Sequence, residues 1–175
     1  MAKTNLLLVP GLLCDHRLWQ EQIQGLSQTA ECKVADVSRS DTVAAMATAA
    51  IGAMPPGPFA VAGLSMGGYV ALEIQRQAAA RVIGLALLDT NARADTEQST
   101  SDRRRMMKMA ETDFERVVNA LLPKLLLPAH MRDAALVAKV KAMAVTTGKE
   151  AYCRQQEAII GRIDSRPHLA GIKCP

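Results

Sequence analysis

The sequence predicts an α/β protein with a mostly parallel sheet and helices on both faces. Short apolar runs at residues 5–9, 32–37, 59–62 and 82–89 suit buried strands. Segments of helical spacing separate these runs, and such alternation favours parallel strands joined by right-handed crossovers. Active groups of such sheets gather beyond the carboxyl ends of the strands.

The connecting segments carry their own signals. Trp19 is expected to open a helix that runs to about Leu26 and to pack the preceding loop down. The Ala-rich stretch Thr42–Met54 predicts a second helix, with Asp41 or Thr42 as its N-cap. Residues 55–58, Pro-Pro-Gly-Pro, end that helix and lead into the next strand.

Composition excludes several classes of function. Net charge is only +4, and the one basic cluster, Arg103–Arg105, has no interleaved aromatic residues, so nucleic-acid binding is not expected. The apolar run after Lys3 is interrupted at Pro10, which argues against a signal peptide, and no stretch reaches the length of a membrane span. The four scattered cysteines predict free thiols, no metal site and a cytoplasmic location. No cofactor is implied.

The stretch from Phe59 to Ile74 carries the chemistry. Gly63-Leu-Ser-Met-Gly67 is a G-x-S-x-G motif between a buried strand and a helix, which predicts a sharp turn with Ser65 at its apex. The helix N-terminus would face Ser65, and the Met66 N–H would stabilise an oxyanion there. The alternative is a structural serine in a tight turn.

Two motifs carry a family resemblance. Ala62-Gly-Leu-Ser-Met-Gly-Gly-Tyr-Val-Ala-Leu-Glu73 resembles the nucleophile elbow of the α/β-hydrolase fold, and Leu6-Leu-Leu-Val-Pro-Gly-Leu-Leu-Cys-Asp-His-Arg-Leu-Trp19 resembles its oxyanion strand and loop. The resemblance implies a three-layer αβα fold with a helical cap, and a second oxyanion donor at the Leu12 N–H. Pro10 stands where many members have histidine, and the segment after Asp36 lacks the family's glycine-rich D-x-R-G-x-G.

The resemblance also implies a domain organisation. Residues 1–91 would form the core, 92–163 the helical cap, and 164–175 the start of a return to the core. His16 and His130 are expected to be loop residues, because neither matches the family's base. Asp89 follows a strand, where some α/β-hydrolases place the catalytic acid; its alternative role is to tether the loop.

In the resembled family, two further strand–helix units carry the acid and then the catalytic histidine. We expect those units to lie beyond Pro175 and the 175 residues alone to be inactive. The predicted function is that of a serine hydrolase acting on a carboxylic ester, thioester or activated amide, with a small-molecule acyl substrate. Acyl transfer on the same site and a catalytically silent, ligand-binding hydrolase fold are the alternatives. The sequence leaves the oligomeric state open.

Overall fold

The computed structural model describes residues 2–175, in which four parallel strands form one sheet. The strands are β1 (Thr4–Val9), β2 (Ala30–Val34), β3 (Phe59–Leu64) and β4 (Val82–Leu88), in the order β2-β1-β3-β4. The predicted parallel sheet is confirmed. Because β2 and β3 lie on opposite sides of β1, the carboxyl ends of β1 and β3 flank a topological switch point, where α/β sheets bind ligands.

The second strand differs from its predicted range of 32–37. It pairs with β1 from Thr4↔Ala30 to Leu8↔Val34, so β1 sets its bounds. Beyond Val34 the Ala35 N–H still donates to the Leu8 oxygen at 2.9 Å. The Asp36 carboxylate then accepts the Ser38 N–H at 3.0 Å and turns the chain away from the sheet.

Helices cover both faces of the sheet, as predicted. They are α1 (Gln20–Gly25) on one face and α2 (Val43–Ala53) with α3 (Met66–Ala78) on the other. Alternate residues of each strand supply the two interfaces. The interface with α2 and α3 includes Leu7, Val9, Phe59, Val61, Met46 and Ile74.

Trp19 is the apolar anchor of the opposite face. It is 5% exposed and packs with Leu8 and Ala62. It ends a 3-10 turn, His16–Trp19, and α1 begins at the following residue instead of at Trp19. The turn is capped by the Asp15 carboxylate, which accepts the Arg17 N–H at 2.9 Å. Of the two N-caps proposed for α2, Thr42 is the one used, accepting the Ala45 N–H at 3.2 Å.

Between residues 92 and 161 the regular elements are all helical, as predicted. They are α4 (Glu97–Thr112), α5 (Phe114–Leu125) and α6 (Ala134–Ile160), with a 3-10 turn at His130–Arg132. These helices bury a cluster of their own, which also contains Leu13 from the loop after β1. Gly148 interrupts α6 with φ 81° and ψ 166°, so the helix consists of two differently directed halves.

A buried ion cluster ties this helical segment together. Asp95, whose side chain is 2% exposed, binds Arg162 at 2.8 Å and Arg103 at 3.1 Å. The Arg162 guanidinium also lies 4.3 Å from the ring centroid of Tyr69 on α3. Through its two arginine partners, the Asp95 carboxylate therefore connects α4, the end of α6 and α3.

β4 lies at an edge of the sheet and keeps apolar side chains exposed. Ile83 is 49%, Leu87 41% and Leu88 39% exposed. The Leu85 N–H donates to the Pro175 oxygen at 2.9 Å, so Pro175 lies beside β4. Within residues 2–175, every helix is too short or too polar to cross a membrane.

Candidate active site

Ser65 occupies a strained turn between β3 and α3. Its backbone has φ 54° and ψ −114°, outside the regions that non-glycine residues favour. Such strain costs about 1–3 kcal/mol and persists only where the surroundings enforce it. The predicted strand-to-helix turn with a strained apex at Ser65 is present.

The two glycines of the motif are required by close backbone contacts. A Cβ on Gly63 would lie 2.1 Å from the Gly67 oxygen, and a Cβ on Gly67 would lie 2.2 Å from the Val9 oxygen. Neither position has room for a side chain. The second contact also shows that the start of α3 rests directly on the end of β1.

Thr90, which follows β4, holds the turn from the other side. Its hydroxyl donates to the Ser65 oxygen at 2.8 Å, and the Gly68 N–H donates to the same oxygen at 2.9 Å. A Cβ on Gly68 would lie 2.4 Å from the Thr90 hydroxyl oxygen. Thr90 is therefore the residue that holds the loop after β4 to the Ser65 turn. The sequence did not single it out, because the one indication of such a role was its position next to the end of a strand.

The loop after β1 lies against the turn. A Cβ on Gly11 would be 3.3 Å from the Leu64 oxygen and 3.6 Å from Ser65 Cβ. Among residues 2–175 no acceptor is bonded to the Leu12 N–H. The Met66 N–H is the first of α3 and has no partner inside that helix. The N–H groups of Leu12 and Met66 thus lie on the two elements that meet at Ser65, and their role as oxyanion donors stays a prediction.

The electrostatics around Ser65 favour a negative charge. The thirteen-residue α3 places its positive dipole end at this turn. Burial, reinforced by the charge of Asp15, raises the pKa of the Cys14 thiol to about 11, so Cys14 stays neutral. The Cys14 thiol therefore places no negative charge in the loop after β1 that would compete with an oxyanion at Ser65.

The remaining predicted groups, Asp89, His16 and His130, make no hydrogen bond to Ser65 within residues 2–175. Asp89 directly follows β4, with φ 44° and an exposed side chain. His16 lies in the 3-10 turn and His130 in a second such turn, and both are exposed.

An apolar cleft opens beside the oxyanion loop, between that loop and helices α5 and α6. Its lining is aliphatic apart from the neutral Cys14, and it includes Leu12, Leu13, Val118, Leu121, Val140 and Ala144. The volume of this cleft is about 10 Å³, room for about one water molecule, and Ser65 is not among the residues that line it.

Comparison with protein families identifies the chain. Residues 22–171 match the model of the thioesterase domain family, which is most of the chain. The chain belongs to the thioesterase domain family. Its fold is that of the α/β-hydrolases, and it is an enzyme of the α/β-hydrolase type. A comparison with curated protein sequences gave no significant match.

Solved structures show the same fold. A thermophilic esterase from Thermogutta terrifontis superimposes with a TM-score of 0.87 at 25% identity, covering 99% of this chain and 70% of its own. The enol-lactonase from Burkholderia xenovorans gives 0.87 at 23% identity, with 100% and 71% covered. A hydrolase from Pseudomonas aeruginosa gives 0.85 at 20%, with 99% and 69% covered. The chain thus spans about 70% of the length of these proteins.

Proposed function

We propose that the protein is a serine hydrolase that cleaves a carboxylic thioester, ester or activated amide through an acyl-enzyme on Ser65. The observation that carries this proposal is the strained backbone of Ser65 at the N-terminus of α3, where the loop after β1 meets the turn. Membership in the thioesterase domain family and the similarity to an esterase support an ester-type bond.

The proposed chemistry follows from the positions of these groups. Ser65 Oγ attacks the carbonyl carbon and loses its proton to a general base, while the carbonyl oxygen takes up the electron pair. The Leu12 and Met66 N–H groups donate to that oxyanion. The tetrahedral species then expels the thiol or alcohol, which takes the proton. Water attacks the acyl-enzyme by the reverse sequence and releases the acid.

The general base is the component that residues 2–175 do not supply in contact with Ser65. The His16 side chain is 76% exposed, and its Nδ1 lies 3.9 Å from Asp15 instead of facing the nucleophile. Removing the base and acid around a serine lowers kcat by about 10⁴–10⁶. We expect a deficit of that size for the 175-residue chain on its own.

The substrate class we propose rests on the chemistry of the residues beside the loop after β1. Because aliphatic side chains and a neutral thiol line the small cleft there, burying a charged group among them would cost several kcal/mol. We therefore propose a small to medium, apolar acyl or leaving group; this size does not come from the volume of the cleft, which is about 10 Å³. Hydrolysis rates over p-nitrophenyl esters of graded chain length should favour uncharged chains.

A fluorophosphonate probe tests the nucleophile. The intact mass should increase by one adduct, slowly, and peptide mapping should place that adduct on Ser65. Ser65→Ala should abolish the adduct, whereas Ser101→Ala, at an exposed serine of α4, should leave its rate unchanged. Long incubation allows the adduct to be detected despite the expected slow rate.

Each other outcome has a defined meaning. An adduct that persists in Ser65→Ala places the nucleophile elsewhere and refutes the proposal. A wild-type chain that never labels but binds apolar probes would be a silent hydrolase fold. Product analysis with competing alcohols separates hydrolysis from acyl transfer, because a transferase would form the new ester at water's expense.

A further inference from the structure

Gln155 on α6 is a fully buried amide that joins two loops of the core. Its side chain is 0% exposed. Its Oε1 accepts the Leu13 N–H at 3.0 Å, and its Nε2 donates to the Val37 oxygen at 3.2 Å. Leu13 follows β1 and Val37 follows β2, so one side chain connects the loops at the carboxyl ends of neighbouring strands.

The Leu13 N–H belongs to the turn that carries the proposed oxyanion donor. The Cys14 N–H donates to the Gly11 oxygen at 3.1 Å and closes a four-residue turn around Leu12 and Leu13. Leu13 has φ 59°, whereas Leu12 is not among the residues of positive φ. These signs are those of a type II turn, whose third position normally needs glycine or asparagine.

A leucine at that position is strained, so something must hold the turn. Type I, the commonest turn, keeps φ negative at both central residues and rotates their shared peptide the other way. The N–H of that peptide is the Leu13 N–H, which Gln155 accepts. Relaxation to type I would break this bond and leave a buried amide without a partner, at a cost of about 1–3 kcal/mol.

Resting on the proposed function, we infer that Gln155 is a positioning residue for catalysis. It selects the type II turn, which holds the Leu12–Leu13 peptide in place and so keeps the loop that carries the Leu12 N–H against the Ser65 turn. Gln155 touches no reacting atom. The kink at Gly148 separates the half of α6 that lines the apolar cleft from the half that bears Gln155. The second half also binds the loop after β2, because the Arg154 Nε donates to the Ser38 oxygen at 2.9 Å.

The neighbouring glutamine provides a matched control. Gln156 is 2% exposed and accepts a hydrogen bond from Arg103 at 2.9 Å, away from the oxyanion loop. Gln155→Met and Gln156→Met each remove one buried amide from the same turn of the same helix at nearly constant volume. Both should lower the melting temperature. Only the first should alter the loop.

Two measurements distinguish positioning from a purely structural role. Amide hydrogen exchange at Leu13 should become at least about ten-fold faster in Gln155→Met and stay unchanged in Gln156→Met. Fluorophosphonate labelling of Ser65, which develops negative charge at the same donors, should slow by about 10–100-fold in Gln155→Met only, somewhat less than the usual effect of deleting an oxyanion donor.

The outcomes are separable. Equal losses of labelling rate in the two variants, or unchanged exchange at Leu13, would overturn the inference. Faster exchange with an unchanged labelling rate would also overturn it, because Gln155 would then hold a loop that the chemistry at Ser65 does not use. If the wild-type chain never labels at Ser65, the proposed hydrolase function fails, and exchange at Leu13 alone decides whether Gln155 holds the turn.

Discussion

Gly67→Ala should force apart the start of α3 and the end of β1, the two elements that meet at the candidate site. The new Cβ would lie 2.2 Å from the Val9 oxygen, whereas ordinary contacts begin at 3.4 Å, so α3 or the end of β1 must move by 3.4 − 2.2 = 1.2 Å. Both partners are backbone and cannot rotate away. Overpacking typically costs 1–3 kcal/mol, and we expect the upper end, about 3 kcal/mol.

The displacement also acts on the chemistry, because β1 leads into the oxyanion loop and α3 begins at Ser65. A misplacement of about 1 Å can cost about 10²-fold in rate. We therefore expect a melting temperature lower by about 6–12 °C and Ser65 labelling slower by about 10²-fold. Differential scanning calorimetry and timed fluorophosphonate labelling measure the two effects.

Gly52→Ala is the matched control, since it is the same change in a helix where nothing lies within 4 Å of the new Cβ. Because alanine has a higher helix propensity than glycine, the free energy of unfolding should rise by up to about 1 kcal/mol, and the rate of Ser65 labelling should not change. If Gly67→Ala melts and labels like the wild type, the elbow and the oxyanion loop do not depend on this contact, and our reasoning about the site is wrong.

Three further substitutions address other features. Asp95→Asn should cost about 3–5 kcal/mol in denaturant melts, because it strips the counter-charge from the nearly buried Arg162. Burial alone would raise the pKa of Asp95, but the Arg162 hydrogen bond and the Arg103 charge lower it below 3.8. The contribution of Asp95 to folding stability is therefore complete above pH 3.8 and is lost as the pH falls through the lower pKa of the folded state. The variant should lack this pH dependence. In a protein that also supplies the general base, Asp89→Asn should change kcat by less than about ten-fold, because Thr90 tethers the turn, whereas a loss near 10⁴ would make Asp89 the acid. The 175-residue chain should self-associate through the exposed apolar edge of β4, and Leu87→Lys should shift it toward monomer in sedimentation velocity; a monomeric wild type would contradict this.

Local patterns predicted most of the secondary structure and the turn at Ser65. The glycines at 63 and 67 are a local signal that two backbone segments approach closely; a Cβ added at these positions would lie 2.1 and 2.2 Å from backbone oxygens. The bounds of β2 were wrong because its pairing with β1, not its own apolar run, decides where it ends. The roles of Leu12, Met66 and Asp89 stay predictions.

Gln155 shows what a sequence pattern leaves hidden. It lies on the helix face of Tyr152 and Ile159, both buried, so the available signal was a polar residue at a core-facing position. Its partner Leu13 is 142 residues away in the chain. No periodicity links residues so distant.

The sequence by itself determined the element types, the glycines at the elbow and the position of a strained serine, because each depends on neighbours within a few residues. Only the tertiary structure decided the strand order β2-β1-β3-β4, which brings the loop after β1 beside Ser65. It also decided which side chains hold that arrangement: Thr90 on the turn and Gln155 on the oxyanion loop. These contacts join segments through hydrogen bonds in a buried interior, and a hydrogen bond between distant residues leaves no repeat in either segment.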